Sequence, residues 1–233
     1  MTGTKQADIA KYSATFDQQG FAVIPRVFSE KEMVGLLKCL PPASARKAGA
    51  RNLLHQNEIA AVANHAQILS LARSILGNAI PFRATLFDKS SRSNWLVSWH
   101  QDRVLPMRER REVAGWGPWS VKAGVICASA PASVLANILA IRIHLDDSTL
   151  DNGPLRVLPG THLLGIVNDD CLVSSANQDS AVGCLVSRGG VILMRPLLVH
   201  ASSKARVDAP RRVLHVEYAA SLSVGSDLEL ATV

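Results

Sequence analysis

The sequence predicts a mainly β domain of two packed sheets, with helices at its N-terminal end. From Ile80 onward, short segments rich in Val, Ile and Leu alternate with turn residues, which is typical of a double-sheet β architecture. Upstream, apolar residues recur at helical spacing. The 233 residues contain no internal repeat or low-complexity linker, so we expect one domain over residues 1–233. It divides into N-terminal helices (about 1–78), a β core (about 79–220) and a C-terminal tail (221–233).

The first elements are a short strand and a helix. Phe21 to Pro25 is an apolar run of strand length that follows a glycine. Ser29 and Glu32 have the spacing of a capping box, in which each side chain satisfies a free backbone N–H at a helix start. This pattern predicts a helix that begins at Ser29 and stops before Pro41 and Pro42.

A second helix and a series of strands follow. Asn64 to Leu76 carries four apolar residues on one helical face, and Gly77 is placed as its C-terminal stop. Beyond that point the pattern is of strands bounded by Gly, Pro, Asn or Asp. The predicted strands are Ile80–Phe87, Asn94–His100, Asn137–Leu145, Leu155–Leu158, Gly190–His200 and Arg211–Ala219.

Composition and charge narrow the function classes. Hydrophobic residues make up 48% and charged residues 19% of the chain, as in globular rather than disordered proteins. The net charge of +6 is scattered, except for four arginines within residues 103–111 that Glu109 interrupts. No recognised nucleic-acid-binding motif accompanies this cluster. We therefore expect small anionic ligands rather than nucleic acid.

Cysteine usage and hydropathy predict a cytoplasmic protein without a membrane partner. The four cysteines form no short-spaced pair of the kind that builds disulfide frameworks or zinc sites. Residues 1–12 lack the apolar core of a signal peptide. The apolar stretch from Ala123 to Ile143 contains Pro131 and several polar residues, so two buried strands joined by a loop fit it better than a membrane-spanning helix.

Three residues have the types and placement of a metal site. His100 and Asp102 lie two apart at the end of a predicted strand, so their side chains point to the same face. His200 closes another predicted strand. Two imidazoles and one carboxylate on one face of an octahedron suit iron(II) and leave positions open for other ligands.

An arginine downstream completes the pattern. Arg211 follows His200 by eleven residues, and we expect its strand to return beside the strand that carries His200. A guanidinium there can bind a carboxylate with paired hydrogen bonds, and Ser202 can donate a further one. Arg212 competes for this role, because strand alternation lets only one of the two arginines point inward.

These residues belong to sequence pieces that resemble the phytanoyl-CoA dioxygenase family, which includes the ectoine hydroxylases. The pieces occur in family order with family-like spacing, and they extend over roughly Phe21 to Ala219. Their joint occurrence is specific, although no single piece is. They are Trp99–Asp102, Asp151–Leu155 with Leu158–His162, Pro196–Ser202, and Pro210–Arg212.

The resemblance implies a double-stranded β-helix (jelly-roll) core and an enzyme that uses iron(II), 2-oxoglutarate and O2. It implies that His100, Asp102 and His200 hold the iron, and that Arg211 binds the distal carboxylate of 2-oxoglutarate with help from Ser202. The implied reaction oxidises an unactivated C–H bond and releases succinate and CO2. A carboxylate at position 102 favours hydroxylation over halogenation.

Two features stand apart from the family pattern. Family members often carry an aromatic or small polar residue where this chain has Arg142 and His144. The segment Arg108–Trp119 has no counterpart in the phytanoyl-CoA or ectoine enzymes.

His162, in a Pro-Gly-Thr-His turn, is expected to be a hydrogen-bonded turn residue rather than a metal ligand.

The substrate is expected to be a small molecule, with a carboxylate or phosphate as one possibility. The segment Arg103–Lys122 follows the metal pair directly, and we hypothesise that it covers the iron as a long loop. Its Arg110 and Arg111 would bind an anion, and Trp116 would contact the substrate. A solvated charged loop explains the same residues equally well.

Two other interpretations of the predicted metal site fit the same residues. The site could belong to a cupin-like metal-binding protein that does not turn over 2-oxoglutarate, or to a non-catalytic binding or regulatory module. A second His-x-Asp pair, His144 and Asp146, competes for the metal. The family-like sequence around His100 and Asp102 favours that pair.

Overall fold

The computed structural model describes residues 6–40, 49–90, 93–168, 180–225 and 227–233. The helices are α1 (Gln6–Gln19), α2 (Glu30–Lys38), α3 (Asn57–Ala63), α4 (Ala66–Leu76) and α5 (Ala132–Leu135). The strands are β1 (Phe21–Ile24), β2 (Gly49–Ala50), β3 (Ile80–Lys89), β4 (Val97–His100), β5 (Val104–Pro106), β6 (Trp119–Lys122), β7 (Val125–Ser129), β8 (Ile138–His144), β9 (Leu155–Val157), β10 (Val182–Cys184), β11 (Val191–Met194), β12 (His200–Ser202) and β13 (Arg211–Ala219).

Two antiparallel sheets form the core. The larger has six strands in the order β1-β11-β8-β13-β3-β2, and the smaller has four in the order β10-β9-β12-β4. An apolar cluster with residues from both sheets, among them Val157 and Ile192, packs between them. The predicted double-sheet β core with jelly-roll character is therefore confirmed.

The six-stranded sheet has an apolar outer face and an inner face that carries apolar residues in one part and polar residues in another. On β8, Ile141 and Ile143 belong to the cluster that packs against α2, α3 and α4, and Arg142 and His144 alternate with them. The hydroxyl of Tyr218 on β13 fixes this packing by donating to the carbonyl of Ala63 at the end of α3, at 2.8 Å. Period-two alternation thus directs every second residue of these strands toward the space between the sheets.

The predicted start of α2 and the predicted end of α4 are confirmed, whereas α4 begins at Ala66 instead of Asn64. Ser29 is the N-cap of α2, and Ser29 and Glu32 form both hydrogen bonds of the capping box. Gly77 ends α4 with φ of 76°, a conformation that glycine adopts readily. The predicted stop at Pro41 and Pro42 lies outside the described residues. In the described part of the chain no single helix is long and apolar enough to span a membrane. The bent pair of α3 and α4 has that length and composition only when the two helices are taken together.

One predicted strand is two strands in different sheets. The run Gly190–His200 divides into β11, in the large sheet, and β12, in the small one. Between them Leu198 N donates to Arg195 O at 3.0 Å, and Pro196 occupies the turn position that proline favours. His200 therefore opens a strand instead of closing one. The prediction that β13 pairs with the strand of His200 was also wrong, since β13 pairs with β3 and β8.

The segment that follows the metal pair is more ordered than predicted. β5 and β6 flank β7 in a three-stranded antiparallel sheet. As predicted, β7 and β8 are two strands of the apolar stretch 123–143, although the short helix α5 joins them. Leu228 and Leu230 of the C-terminal tail are buried against this sheet, and Leu230 bridges to Met107.

Candidate metal centre

The three predicted metal ligands converge where the small sheet ends. His100 closes β4 and His200 opens β12, and the two are direct partners in the sheet register. Nε2 of His100 lies 3.6 Å from Oδ1 of Asp102, and Nε2 of His200 lies 3.6 Å from Oδ2. These separations exceed hydrogen-bond length, and one metal ion between the three groups accounts for the spacing. Within the described residues this is the one group whose ligand atoms lie together, all within 4.8 Å.

Hydrogen bonds present the correct nitrogen of each imidazole to a metal. Nδ1 of His100 lies 2.8 Å from the carbonyl oxygen of Ser98, and Nδ1 of His200 lies 2.8 Å from that of Leu198. A carbonyl only accepts, so in each neutral ring Nδ1 carries the proton and Nε2 carries the lone pair. Outer hydrogen bonds of this kind orient metal-binding histidines. The donor set therefore fits iron(II).

Gln101 locks the ligand segments together. Its amide nitrogen donates to the carbonyl oxygens of Leu197, at 2.6 Å, and Gly165, at 2.8 Å, and its oxygen accepts from Val167 N at 2.9 Å. The backbone N–H of Asp102 donates to Pro196 O at 2.9 Å. The ligands are thus held on two cross-linked segments, which preorganises their geometry.

Electrostatics keep Asp102 ionised. Burial alone would raise the pKa of this carboxyl group, but the imidazoles of His200 and His100 outweigh burial and hold its pKa well below the usual range. Burial lowers the pKa of His200 to about 4. At neutral pH the centre therefore offers an anionic oxygen and the neutral imidazole of His200, the protonation states that metal binding requires.

A buried cationic cluster, the cationic pocket, joins Arg211 on the inner face of β13 to Lys89 of β3 through Ser202. Arg211 is 3% exposed, whereas Arg212 turns away and forms an ion pair with Asp146 at 2.6 Å. Nε and Nη1 of Arg211 are buried without a hydrogen-bond partner among the described residues. Burial lowers the pKa of Arg211 to about 9, which still leaves it charged at neutral pH. Orphaned N–H groups on a buried cation fit a carboxylate ligand such as that of 2-oxoglutarate.

Ser202 organises this pocket in a different way from the one predicted. Its hydroxyl oxygen accepts from Nη2 of Arg211 at 3.3 Å and from Nζ of Lys89 at 2.8 Å. Its own proton goes to the carbonyl oxygen of Gly153, at 3.0 Å. In this arrangement Ser202 positions two cations instead of donating to a ligand.

Lys89 is a pocket residue that sequence reasoning missed. It ends β3, is fully buried, and also donates to Ser203 O at 2.6 Å. Burial, with the charge of Arg211, lowers its pKa to about 8. Alternation along β3 places Lys89 on the same face as Phe87 and Thr85, and that alternation was the available signal. A lysine at this inward position adds a second cation for a carboxylate.

The family model for phytanoyl-CoA dioxygenase (PhyH) matches residues 16–213. The chain belongs to this family. Its motifs predicted as much, and the family together with the His–Asp–His site indicates iron and 2-oxoglutarate as cofactors. A search of curated proteins by sequence found no match.

Solved structures share the fold of this PhyH family member. The apo form of EctD from S. alaskensis superposes with a TM-score of 0.69 at 22% identity, over 91% of this chain and 76% of that one. The epimerase SnoN, in complex with Fe3+, alpha ketoglutarate and nogalamycin RO, gives 0.72 at 15% identity over 98% and 96%. The apo non-heme monooxygenase ThoJ gives 0.69 at 20% identity over 89% and 76%.

A cavity of about 390 Å³ opens on the metal ligands of this PhyH protein. His100 and Asp102 contribute to its wall, and their side chains are 38% and 30% exposed, whereas His200 is 5% exposed. The metal centre is thus accessible from one side. Cationic side chains from three segments also line the cavity. They are Arg51, Arg83, Arg103 and Lys122.

The residues predicted to bind substrate lie elsewhere. Arg110 pairs with Glu112, and Arg111 pairs with Glu109 and Asp227, all on the exposed surface. Neither arginine lines the cavity, nor does Trp116, which packs against the apolar cluster of the three-stranded sheet. Their substrate role therefore stays a prediction, without geometric support from this structure.

The competing histidines have other roles. His162 lies in a 3₁₀ turn at Thr161–Leu164, with Nε2 3.2 Å from the carbonyl oxygen of Asp17, as expected for a turn residue. Asp146 is occupied by Arg212, so His144 and Asp146 do not form a second metal pair.

Proposed function

We propose that the protein is an Fe(II)- and 2-oxoglutarate-dependent oxygenase that hydroxylates, or otherwise oxidises, an unactivated C–H bond of a small anionic molecule. The observation that carries this proposal is the pairing of a His–Asp–His centre with a buried guanidinium, that of Arg211, whose Nε and Nη1 have no hydrogen-bond partner among the described residues. Either feature alone occurs in binding proteins, but their combination suits a metal that is chelated by a keto acid with a second carboxylate.

Each residue has a stated task in this proposal. His100 and His200 bind iron(II) through Nε2, and Asp102 binds it through a carboxylate oxygen. Arg211 and Lys89, aligned by Ser202, bind the distal carboxylate of 2-oxoglutarate. When bound, iron with 2-oxoglutarate and O2 supplies the oxidising chemistry and yields succinate and CO2.

The carboxylate of Asp102 favours hydroxylation over halogenation. Its charged form is stabilised by two imidazoles, which suits a permanent metal ligand. A halide would need that coordination position. We therefore propose oxygen transfer to the substrate as the principal outcome.

The substrate class follows from the cavity beside the metal. Arg51, Arg103 and Lys122 line it, and Glu217, the acidic residue deeper in the wall, is neutralised by an ion pair with Arg83. A negatively charged group, carboxylate or phosphate, complements this lining. We place its binding at these cavity residues, and we propose that the enzyme acts in the cytoplasm as a single domain.

Turnover without substrate tests the function. Many enzymes of this chemistry consume 2-oxoglutarate slowly when no substrate is present, so purified protein with Fe(II), O2 and 2-oxoglutarate should release succinate. Asp102→Ala should abolish the release, and Arg211→Leu should require a much higher 2-oxoglutarate concentration for the same release. Arg212→Leu is the matched control, because that guanidinium points away from the pocket and should leave succinate release intact. Wild-type protein that loads iron but releases no succinate would contradict the proposal.

A further inference from the structure

Arg142 is a second buried guanidinium inside the barrel. It lies on the inner face of β8 and is 7% exposed. Nη1 donates to Nδ1 of His215 at 3.1 Å, and the guanidinium stacks 5.1 Å from the ring centre of Phe87. None of the carboxylates in the described residues forms an ion pair with it, and its Nε is buried without a hydrogen-bond partner there. A buried cation with no ion-pair partner and an unsatisfied donor favours the binding of a ligand anion.

Donors without a hydrogen-bond partner among the described residues extend from Arg142 toward Arg211 in the cationic pocket. His144, two residues along β8, is fully buried, and neither ring nitrogen has a partner within the described ranges. Arg211 adds two more such N–H groups. In the β8–β13 register, His215 is opposite Arg142 and Val213 is opposite His144, so the three side chains lie in sequence along one wall. A single elongated anion that runs along this wall would meet all three.

Arg142 is at the metal end of that wall. The charge of Arg142 opposes protonation of His100 and His200. The carboxylate of Asp102 is the main charge that stabilises the guanidinium of Arg142. The charge of Arg142 also contributes to the lowered pKa of Arg211. His215, which accepts from Arg142, lines the cavity together with His100 and Asp102, so Arg142 adjoins the metal end of the wall, where the keto-acid end of a metal-chelating dianion would be.

We propose that Arg142 binds the keto-acid end of 2-oxoglutarate, so that a guanidinium holds each end of the co-substrate. The inference rests on the proposed function. Arg142 donates through Nε, since Nη1 is engaged by His215, and Arg211 and Lys89 hold the other carboxylate. A carboxylate that accepts from a guanidinium in a buried site forms one of the stronger hydrogen bonds available to a protein.

A purely structural role is the competing explanation. A guanidinium only donates, so its bond fixes His215 with Nδ1 as acceptor, and Arg142 could serve only to hold that ring. This role predicts no dependence of co-substrate binding on Arg142. Ligand truncation separates the two, because 2-oxobutanoate keeps the keto acid and lacks the distal carboxylate.

The test uses full-length protein loaded with Zn(II), which does not react with O2. The affinities of 2-oxoglutarate, by calorimetry, and of 2-oxobutanoate, by NMR titration, are measured for wild type, Arg142→Met and Arg211→Leu. Arg142→Met should weaken both ligands by the same factor, roughly tenfold or more. Arg211→Leu should weaken 2-oxoglutarate and leave 2-oxobutanoate unchanged. Arg142→Lys, which keeps the charge, should recover part of the loss.

Two results for Arg142→Met would overturn the inference. Weakening of 2-oxoglutarate alone would place Arg142 at the distal end, and unchanged affinity for both ligands would leave it only a structural role. In either case wild-type binding still supports the proposed function, whereas wild type that binds neither ligand removes the function itself.

A measurement on wild type guards against a variant that does not fold. In the Zn(II)-loaded protein the Nε–H resonance of Arg142 should shift when 2-oxobutanoate is added, and that of Arg211 should not. An Arg142 resonance that stays in place at saturating 2-oxobutanoate would overturn the inference without any substitution.

Discussion

The two faces of the large sheet are made by the same strands and have opposite chemistry. On β13 the outward residues Leu214, Val216 and Tyr218 are all fully buried under the helices. The inward residues of the same strand include Arg211, whose Nε and Nη1 have no partner among the described residues, and His215, which accepts from Arg142. Alternation with a period of two produces both faces from nine consecutive residues.

The outer face stabilises the fold, and the inner face carries the residues proposed for function. Each apolar side chain on the outer face stabilises the fold by about 1.5–3 kcal/mol through burial. On the inner face the buried cations Arg142 and Arg211 form no ion pair with any described residue, which costs stability until a ligand binds. Such a division is expected of enzymes, because the residues that a functional site needs are often not the ones that would make the fold most stable.

The largest effect on the outer face should come from Leu214→Ala. The truncation leaves a cavity under the helices, so the free energy of unfolding should fall by about 2–5 kcal/mol. Chemical denaturation measures the loss. The affinity of the folded fraction for 2-oxoglutarate should not change, and a large change there would mean that the two faces are not independent.

Arg211→Leu should have the opposite effects. Loss of the charged hydrogen bonds should weaken 2-oxoglutarate binding by roughly 10- to 100-fold. The metal-free protein should be as stable as wild type or more stable by about 1 kcal/mol, because a desolvated cation is replaced by an apolar side chain. Calorimetry and denaturation of the same preparation measure both. A clear loss of stability would show that the inner face also supports the fold.

A smaller effect is expected from pH, through Lys89. Its pKa is about 8 in the folded protein, below the ordinary lysine value of 10.5, so the unfolded chain binds more protons between these two pH values. Stability of the metal-free protein should therefore rise with pH across this window, and Lys89→Met should flatten the Lys89 part of the rise. Affinity for 2-oxoglutarate should fall as pH passes 8, because the ammonium is lost. An affinity that is flat to pH 9 would remove Lys89 from the pocket.

The smallest effect is expected at the exposed arginines. Arg110→Ala and Arg111→Ala break only surface ion pairs, so the free energy of unfolding should change by no more than about 0.5 kcal/mol. Co-substrate affinity should be unchanged. Substrate turnover that collapses in these variants, while Arg103→Ala is active, would return the substrate site to this segment.

The sequence predicted the parts whose signals are local. The capping box of Ser29, the stop at Gly77 and the metal spacing of His100 and Asp102 each depend on a few neighbouring residues. It did not predict which strands pair, because pairing depends on contacts far apart in the chain. It therefore missed that Pro196 moves the chain from one sheet to the other.

The same limit explains what the sequence left open at the site. Arg110 and Arg111 were chosen for charge and proximity in sequence, the structure places them in surface ion pairs with nearby glutamates, and their substrate role stays a prediction. Lys89 lies outside every motif, and it is the pairing of β3 with β13 that places it opposite Arg211 and within reach of Ser202. Helix α1 escaped prediction because its sequence is largely polar.

The central claim is that one site holds iron and 2-oxoglutarate together. Anaerobic titration of metal-free protein with Fe(II) and then 2-oxoglutarate tests it through the weak visible charge-transfer band of an iron-chelated keto acid. The band should form in wild type and in Arg212→Leu, fail in Asp102→Ala, and need much more 2-oxoglutarate in Arg211→Leu. Wild-type protein that binds iron yet gives no band at saturating 2-oxoglutarate would contradict the claim.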